Sequence, residues 1–523
     1  MNRSSLFALT VAIVAFACGW YVGGDHAGAP ERAGIPVAIS YSGGFAAASS
    51  TNRSSVSNAK SAPMANRAAP ATAVRSAVAT RLQAGNTLRV NSGDSIQSAV
   101  MRAQPGDTIQ VMPGNYSETV YIDKDDIHLI GIIVEGRRAT LDGLGELNDA
   151  ILYSGNNIVI ENFKIIGYKG NGIMSQAGNN FEIRNNIIVD TGIYGIFPQL
   201  SKNGLIEHNI ISGIADAAIY VGMSDNIHVA YNEVFDSVAG IEIENSRYAI
   251  VEHNHTHHNS GGILAFITPG LPIKDASDII IRNNFILDNN TANFAVPGST
   301  VAGIPAGTGI LIMAADDVVV EGNIISNNKT AGILITDHGN AGGLTLDPLS
   351  EPHADRAKIL DNVMLNNGYD TIDEVKAFAL TELHLGNIDI FRIGPSEGSC
   401  ILNRHRYATV GVGDFTDCDF NNTDNIATYL LPMGAKPRVI ASSERGEIAY
   451  LGICAGCHSY TGRLIGPPVP VIQALYRDNP EALADYMQAP VKKRSNFPEM
   501  PPQNYLDRET QLAVAEYMLS IDG

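Results

Sequence analysis

Tryptophan is almost missing from this chain: Trp20 is the only one, and it sits in an apolar run at the N-terminus. An indole platform for neutral sugars is therefore excluded, and tyrosines must serve if a sugar is bound. Positive charge is also short, with 35 Lys and Arg against 54 Asp and Glu and a net charge of −19. So acidic a chain is a poor partner for nucleic acid. No G-x-G-x-x-G fingerprint opens a βαβ unit, which speaks against a nucleotide-dependent dehydrogenase subunit. Cysteine is scarce at five residues. What the chain does have is glycine, aliphatic residues ample for a core, and enough length for more than one domain.

The N-terminus reads as an export signal. Arg3 precedes an apolar run over residues 6–22, and Ala15-Phe16-Ala17 resembles a cleavage site. Cys18 follows directly and permits lipidation, while the run is also just long enough to stay as a membrane anchor. Residues 1–24 are thus a signal peptide or membrane anchor, and each form puts the rest in the periplasm or outside the cell. Residues 25–85 are rich in Ala, Ser, Gly, Asn and Pro and lack hydrophobic periodicity. They cannot bury enough surface to offset ordering entropy, and read as a disordered tether.

Order begins near Thr87, with a short amphipathic helix expected over residues 95–103. A repeat follows. Asparagines recur at Asn186, Asn209, Asn232 and Asn254, in steps of 23, 23 and 22, and continue at Asn284, Asn323 and Asn362. In parallel run Gly172-Ile173, Gly195-Ile196, Ala218-Ile219, Gly240-Ile241, Gly262-Ile263, Gly309-Ile310 and Gly332-Ile333. Each period is one coil of a solenoid. Two places after the asparagines, Ile188, Ile211, Val234, Thr256, Ile286 and Ile325 form an inward row, and the asparagines should bond coil to coil inside. The residues just before them, such as Asn185, His208 and His253, mostly tolerate a left-handed backbone and read as bends. His255 and His257 alternate outward on the next strand and could share a surface cation, but no carboxylate partner is evident, and exposed strand histidines are the plainer reading.

Where the period is broken, loops have been inserted, over residues 264–276, 290–304 and 336–355 of neighbouring coils. If they lean together they wall a cleft. The coils, with the helix that would plug their open end, resemble right-handed parallel β-helices of the carbohydrate-binding and sugar-hydrolase type, whose relatives include pectate lyases and uronan C5-epimerases. The resemblance covers residues 86–420 and implies an all-β solenoid. Lyases and epimerases of uronic acids need a cation or amide to neutralise the substrate carboxylate and a base that reaches C5. The last insertion offers Asp337, His338, Asp347, His353 and Asp355, with Lys274 in the first; His338, His353 and Asp355 are the catalytic candidates. Glu351-Pro352-His353-Ala354-Asp355 is only partly similar to the Asp-Pro-His-Asp motif of alginate epimerases, since the first Asp is absent and an Ala is added.

Near the C-terminus stands Cys454-Ala455-Gly456-Cys457-His458. Two thiols at this spacing, followed at once by histidine, suit covalent haem attachment, with the imidazole as proximal iron ligand. No second cysteine or histidine pair follows to complete a zinc site. Gly466-Pro467-Pro468 and the proline-stiffened Phe497-Pro498-Glu499-Met500-Pro501-Pro502 come after it. With these motifs residues 443–523 resemble a small all-α class I cytochrome c domain, joined through a linker at 421–442. The resemblance implies one covalent haem c, attached at Cys454 and Cys457, with His458 and Met500 as axial iron ligands. Met487 and Met518 stand at helical spacing and read as core instead. Export would let Cys400 and Cys418 pair, closing a loop of about 18 residues for on the order of 3 kcal/mol.

Two readings follow. In one, the protein is an exported electron carrier that exchanges electrons with periplasmic redox partners, its β-helix binding a polysaccharide or cell-envelope glycan. In the other, the β-helix is a polysaccharide lyase or epimerase and the haem is an accessory or redox sensor.

Overall fold

The computed structural model describes residues 85–523, apart from 343, 345, 439–443, 456, 461, 464, 498, 501, 505, 507, 522 and 523. The signal or anchor expected at 1–24 and nearly all of the expected tether lie outside the described residues. Among the described residues no helix is long and apolar enough to cross a membrane.

The chain winds through three parallel sheets of twelve, eleven and ten strands. One coil shows the pattern: Ile187–Val189 lies in the ten-stranded sheet, Tyr194–Gln199 in the eleven-stranded, Lys202–Glu207 in the twelve-stranded, and Ile210–Ser212 returns to the first. Because side chains alternate, every second residue enters a core that runs the length of the solenoid. The expected inward row stacks in register, Ile188 on Ile211, Ile211 on Val234 and Val234 on Thr256. All of its members are fully buried.

The asparagine ladder is continuous. Each Oδ1 accepts the backbone N–H of the ladder asparagine one coil earlier, at 2.9 to 3.0 Å from Asn186 through Asn362. The bends occur one residue earlier, with φ of 55° at Asn185, 58° at His208, 56° at His253 and 47° at Asp361. His208 and His253 are thus turn residues, and their rings stack on Tyr231 between them. A second ladder, Asn259, Asn289, Asn328 and Asn367, runs five residues behind the first. The Gly-Ile row needs its glycines: a Cβ on Gly309 would stand 2.5 Å from the carbonyl oxygen of Gly332 on the next coil.

The N-terminal end of the solenoid is covered, as an edge of unpaired strand groups requires. At the N-terminal end lies the helix Ile96–Arg102, with Ile96, Ala99 and Val100 buried. Ser95 caps it, and the Glu118 carboxylate accepts the N–H groups of Ile96 and Gln97 at 2.7 and 3.0 Å. The last coils carry the helix Asp373–Thr381 and a disulfide between Cys400 and Cys418, whose Cα atoms are 5.0 Å apart.

The segment expected as a linker lies flat on the solenoid. It runs back toward the first coils along the outside of the twelve-stranded sheet, where Ile250, Ile280, Val319 and Leu360 pack under Phe420, Ile426 and Tyr429. Side chains on successive coils hold its backbone. Arg282 Nη1 donates to the Ile426 carbonyl at 3.0 Å and Asn226 Nδ2 to that of Tyr429 at 2.9 Å. Further back, Asn203 Oδ1 accepts Leu431 N–H at 2.6 Å, and Asn180 bonds both the N–H and the carbonyl of Ala435. The strap therefore returns the chain to coils more than two hundred residues earlier.

Beyond it the chain is helical: Arg445–Ala449, a π-turn Tyr450–Cys454, Val469–Leu475, Pro480–Gln488 and Arg508–Ser520. These elements share a core of their own, with Tyr450, Cys454, Val469, Leu483, Met487, Val514 and Met518 buried. Met487 and Met518 are core residues, as their helical spacing predicts.

Candidate functional site

The outer face of the eleven-stranded sheet is where the molecule departs from an ordinary solenoid. On strands Tyr194–Gln199, Ala217–Gly222 and Ala239–Glu244, residues such as Ile196, Ile219 and Ile241 point inward, so Phe197, Tyr220 and Glu242 point out. An outer face normally meets water, yet Phe197, Tyr220 and Glu242 are each 4 % exposed or less. The inserted loops and the helical C-terminal region cover them. Thr268, Leu271, Ser299, Thr300 and Val301 come from two insertions, and Ile465 comes from the C-terminal region. The loops do lean together: Thr268 and Thr300 hydroxyls meet at 3.4 Å, and Lys274 Nζ donates to Asp347 at 2.7 Å.

Beneath this cover lies a carboxylate cluster. Asp216, Glu242 and Glu244 line a cavity of about 30 Å³ together with Tyr194 and Phe266. That is room for one water. Burial, and then the charges of Asp216 and Glu244, hold the Glu242 carboxyl well above the usual carboxylate range. Burial followed by the charge of Glu244 does the same to Asp216. Glu244 is also raised by burial, although the hydroxyls of Tyr220 and Thr268 bond it. Among the described residues none that lines the cavity is cationic. Burial thus favours the protonated form of Asp216 and Glu242, so that a carboxyl can donate a hydrogen bond or act as an acid. The cluster is also short of partners: among the described residues Glu242 Oε1 and the Ser299 hydroxyl are buried with no hydrogen bond, as are both amide atoms of Gln199 on the same sheet face.

The residues expected to be catalytic lie elsewhere and do not line this cavity. His338 is buried, and its Nε2 pairs with the Ile267 carbonyl at 2.8 Å. Its ring fastens the last insertion to the first. His353 is partly exposed beside Glu351, with Nδ1 to Oε1 of 3.9 Å. Asp355 Oδ1 accepts Glu397 N–H at 2.7 Å. Glu351, His353 and Asp355 do come together. Sequence reasoning missed the carboxylate cluster itself. The signal was present in Gly240-Ile241-Glu242-Ile243-Glu244, where both outward positions of one strand are acidic while the matching positions of the neighbouring coils are mostly aromatic or aliphatic.

The C-x-x-C-H segment lies close by. Its π-turn packs against strand Asn171–Gln176. Burial, and then the charges of Asp216 and Asp149, push the Cys457 thiol up to about 12. Both Cys454 and Cys457 are free thiols. The His458 ring is clamped: Nδ1 bonds the Pro467 carbonyl at 2.8 Å, and a Cβ on Gly466 would stand 2.2 Å from Cε1. That fixes the tautomer and leaves Nε2 as the ligating atom. Met500 is half-buried and packs against the helical core, while Pro498 and Pro501 beside it lie outside the described residues. An imidazole nitrogen, a thioether and two unbridged thiols are a donor set that fits haem c.

Residues 145–268 and 267–382 match a family model described as right handed beta helix region. No curated protein matches the chain in sequence. Among solved structures, an alginate lyase from Paenibacillus sp. is 15 % identical with a TM-score of 0.40, over 60 % of this chain and 99 % of that one. The A-module of a mannuronan C-5 epimerase from Azotobacter vinelandii is 15 % identical with a TM-score of 0.35, over 65 % and 94 %. A DFA-IIIase from Arthrobacter chlorophenolicus is 12 % identical with a TM-score of 0.42, over 64 % and 97 %. The three parallel sheets and the family match agree that the central part of this chain is a right-handed parallel β-helix.

Proposed function

We propose that the β-helix acts on a polyuronate by acid–base chemistry at Asp216, Glu242 and Glu244, as a lyase or epimerase of an exported protein. The observation that carries this reading is a covered cavity lined by three carboxyl groups that burial pushes toward the protonated form, with no hydrogen-bond partner for Glu242 Oε1 among the described residues. Perturbed groups of this kind gather at catalytic sites. A protonated carboxyl can donate a hydrogen bond to a uronate carboxylate, which neutralises it and acidifies the proton at C5. It also removes the repulsion that so acidic a chain would otherwise exert on a polyanion. In this reading Glu244, which accepts the Tyr220 hydroxyl, takes the C5 proton, and Tyr220 and Tyr194, whose phenols burial raises well above their ordinary value, return one as neutral hydroxyls. Elimination then breaks the C4–O bond, a protonated carboxyl of the cluster giving its proton to the leaving oxygen, and yields an unsaturated uronate; return of a proton to the opposite face of C5 with that bond intact gives the epimer. The cavity as it stands admits only a water, so Ile465 and the loop at Ser299 must move aside for a sugar. In the test, full-length matured protein is incubated with polyuronates and absorbance is followed at 235 nm alongside epimer content. Both products should vanish in Glu242→Gln; turnover that persists in this variant would move the chemistry elsewhere.

A second component is favoured by the clamp on His458, whose Nδ1 is committed to Pro467. In this reading Cys454 and Cys457 carry one haem c, His458 and Met500 hold its iron, and the group supplies single-electron transfer with periplasmic partners. The clamped ring keeps Nε2 oriented, and Gly466 lets the backbone approach the ring. Met500→Ala should lower the reduction potential of the matured protein. An unchanged potential would reassign the distal ligand.

A further inference from the structure

The ten-stranded sheet carries a second concentration of donor atoms, on a different face from the carboxylate cavity. His255 and His257 alternate on strand His255–His257, so both rings emerge on its outer side. The coil adds what the sequence did not offer. Glu233, 22 residues earlier, is the register partner of His255 on strand Glu233–Phe235. This corrects the expectation of two exposed histidines without an acidic neighbour. Glu233 Oε1 lies 3.4 Å from His257 Nε2 and 3.9 Å from His255 Nδ1. One donor atom from each of the three falls within 4.8 Å of the other two. Ligands about 2.0 Å from a tetrahedral ion are about 3.3 Å apart, so small rotations would close the set.

The surroundings prepare these rings for a ligand. His257 Nδ1 pairs with His258 Nδ1 at 2.7 Å, which engages the nitrogen that faces away from Glu233. Outer partners of metal-bound imidazoles hold the ring in this way. Phe235 stacks on His257 at 5.1 Å with only 4° between the planes, and Phe285 meets His255 edge-on at 6.2 Å. The Glu233 carboxylate has no other partner among the described residues. Glu351, His353 and Asp355 offer a contrasting cluster, because their oxygens are committed: Glu351 Oε1 accepts His353 N–H at 3.2 Å and Asp355 Oδ1 accepts Glu397 N–H.

We propose that Glu233, His255 and His257 form a binding site for a divalent transition-metal ion of the zinc type, with three protein ligands and a position open to water or an outside ligand. Two imidazoles favour such an ion over calcium or magnesium, which take oxygen. The test is calorimetric titration of full-length, chelator-treated protein with Zn²⁺ alone. One equivalent should bind at pH 7.5. His255→Ala and Glu233→Gln should each weaken it at least about tenfold, and His208→Ala, at a turn, should leave it unchanged. Should His255→Ala fail to fold, the half-exposed Glu233→Gln still decides the matter. Zinc-edge X-ray absorption should show imidazole scattering that falls in His257→Ala. Affinity that survives Glu233→Gln and His255→Ala, or an equivalent that is lost instead in His353→Ala, would overturn the assignment.

Discussion

At the scale of single residues, the acidic side chains of this protein titrate in opposite directions, and pH separates them. Glu161 is buried and Glu252 partly buried, which alone would raise them. Hydrogen bonds from His128 and Arg184 to Glu161, and from His228 and Arg282 to Glu252, outweigh that and bring both down to about 2. A depressed carboxyl stabilises the fold above its unfolded pKa, and this contribution is lost as pH falls through the folded value. Glu252→Gln should therefore lower Tm at pH 7 and make little difference at pH 2. Glu242 has the reverse sign. Its folded form is raised by burial, so its contribution is complete below the unfolded pKa and is lost as pH rises through the folded value. Glu242→Gln should raise Tm at pH 8 relative to wild type and leave it nearly unchanged at pH 4. Thermal melts of both variants across that range check the pair.

At the scale of elements, the solenoid rests on its ladders. Asn232 Nδ2 lies within hydrogen-bond reach of the carbonyls of Ile206 and Ala230 and of Asn254 Oδ1, and its own Oδ1 accepts Asn209 N–H. Each buried group left unpaired costs about 1–3 kcal/mol. Asn232→Ala should thus destabilise the protein by at least about 3 kcal/mol in denaturant unfolding, whereas a change at exposed Tyr231 should cost far less. This layer of the molecule was legible in the sequence, because a 23-residue period repeats one physical demand in every coil. The ladder from Asn259 to Asn367 escaped notice for a related reason: it is confined to the coils that the insertions stretch to steps of 30 and 39. For Glu242 and Glu244 only half of the signal was local: two acidic outward positions stand on one strand, but their burial comes from loops contributed by other coils, which leaves no pattern in the sequence around them. Glu233 was missed as a partner of His255 because register, not proximity in sequence, joins them.

At the scale of the whole molecule, the strap decides what meets what. It carries the chain from the last coils back to Asn156 and Asn180, and so brings Ile465 and the C-x-x-C-H segment to the carboxylate cavity. Bonds between residues more than 250 positions apart could not be read from the chain. Asn180→Ala removes both contacts to Ala435 and should speed proteolytic cutting within residues 421–438, with the solenoid core left intact. The placement also frames the relation of the two proposed chemistries, since a sugar could reach Glu242 only with this cover displaced. Exchange of deuterium from solvent into C5 of a polyuronate tests the central claim most directly, because elimination and epimerisation both break that bond. The account predicts C5 incorporation by the full-length protein and none by Glu242→Gln. Incorporation equal in both, or absent with every polyuronate offered, would contradict it.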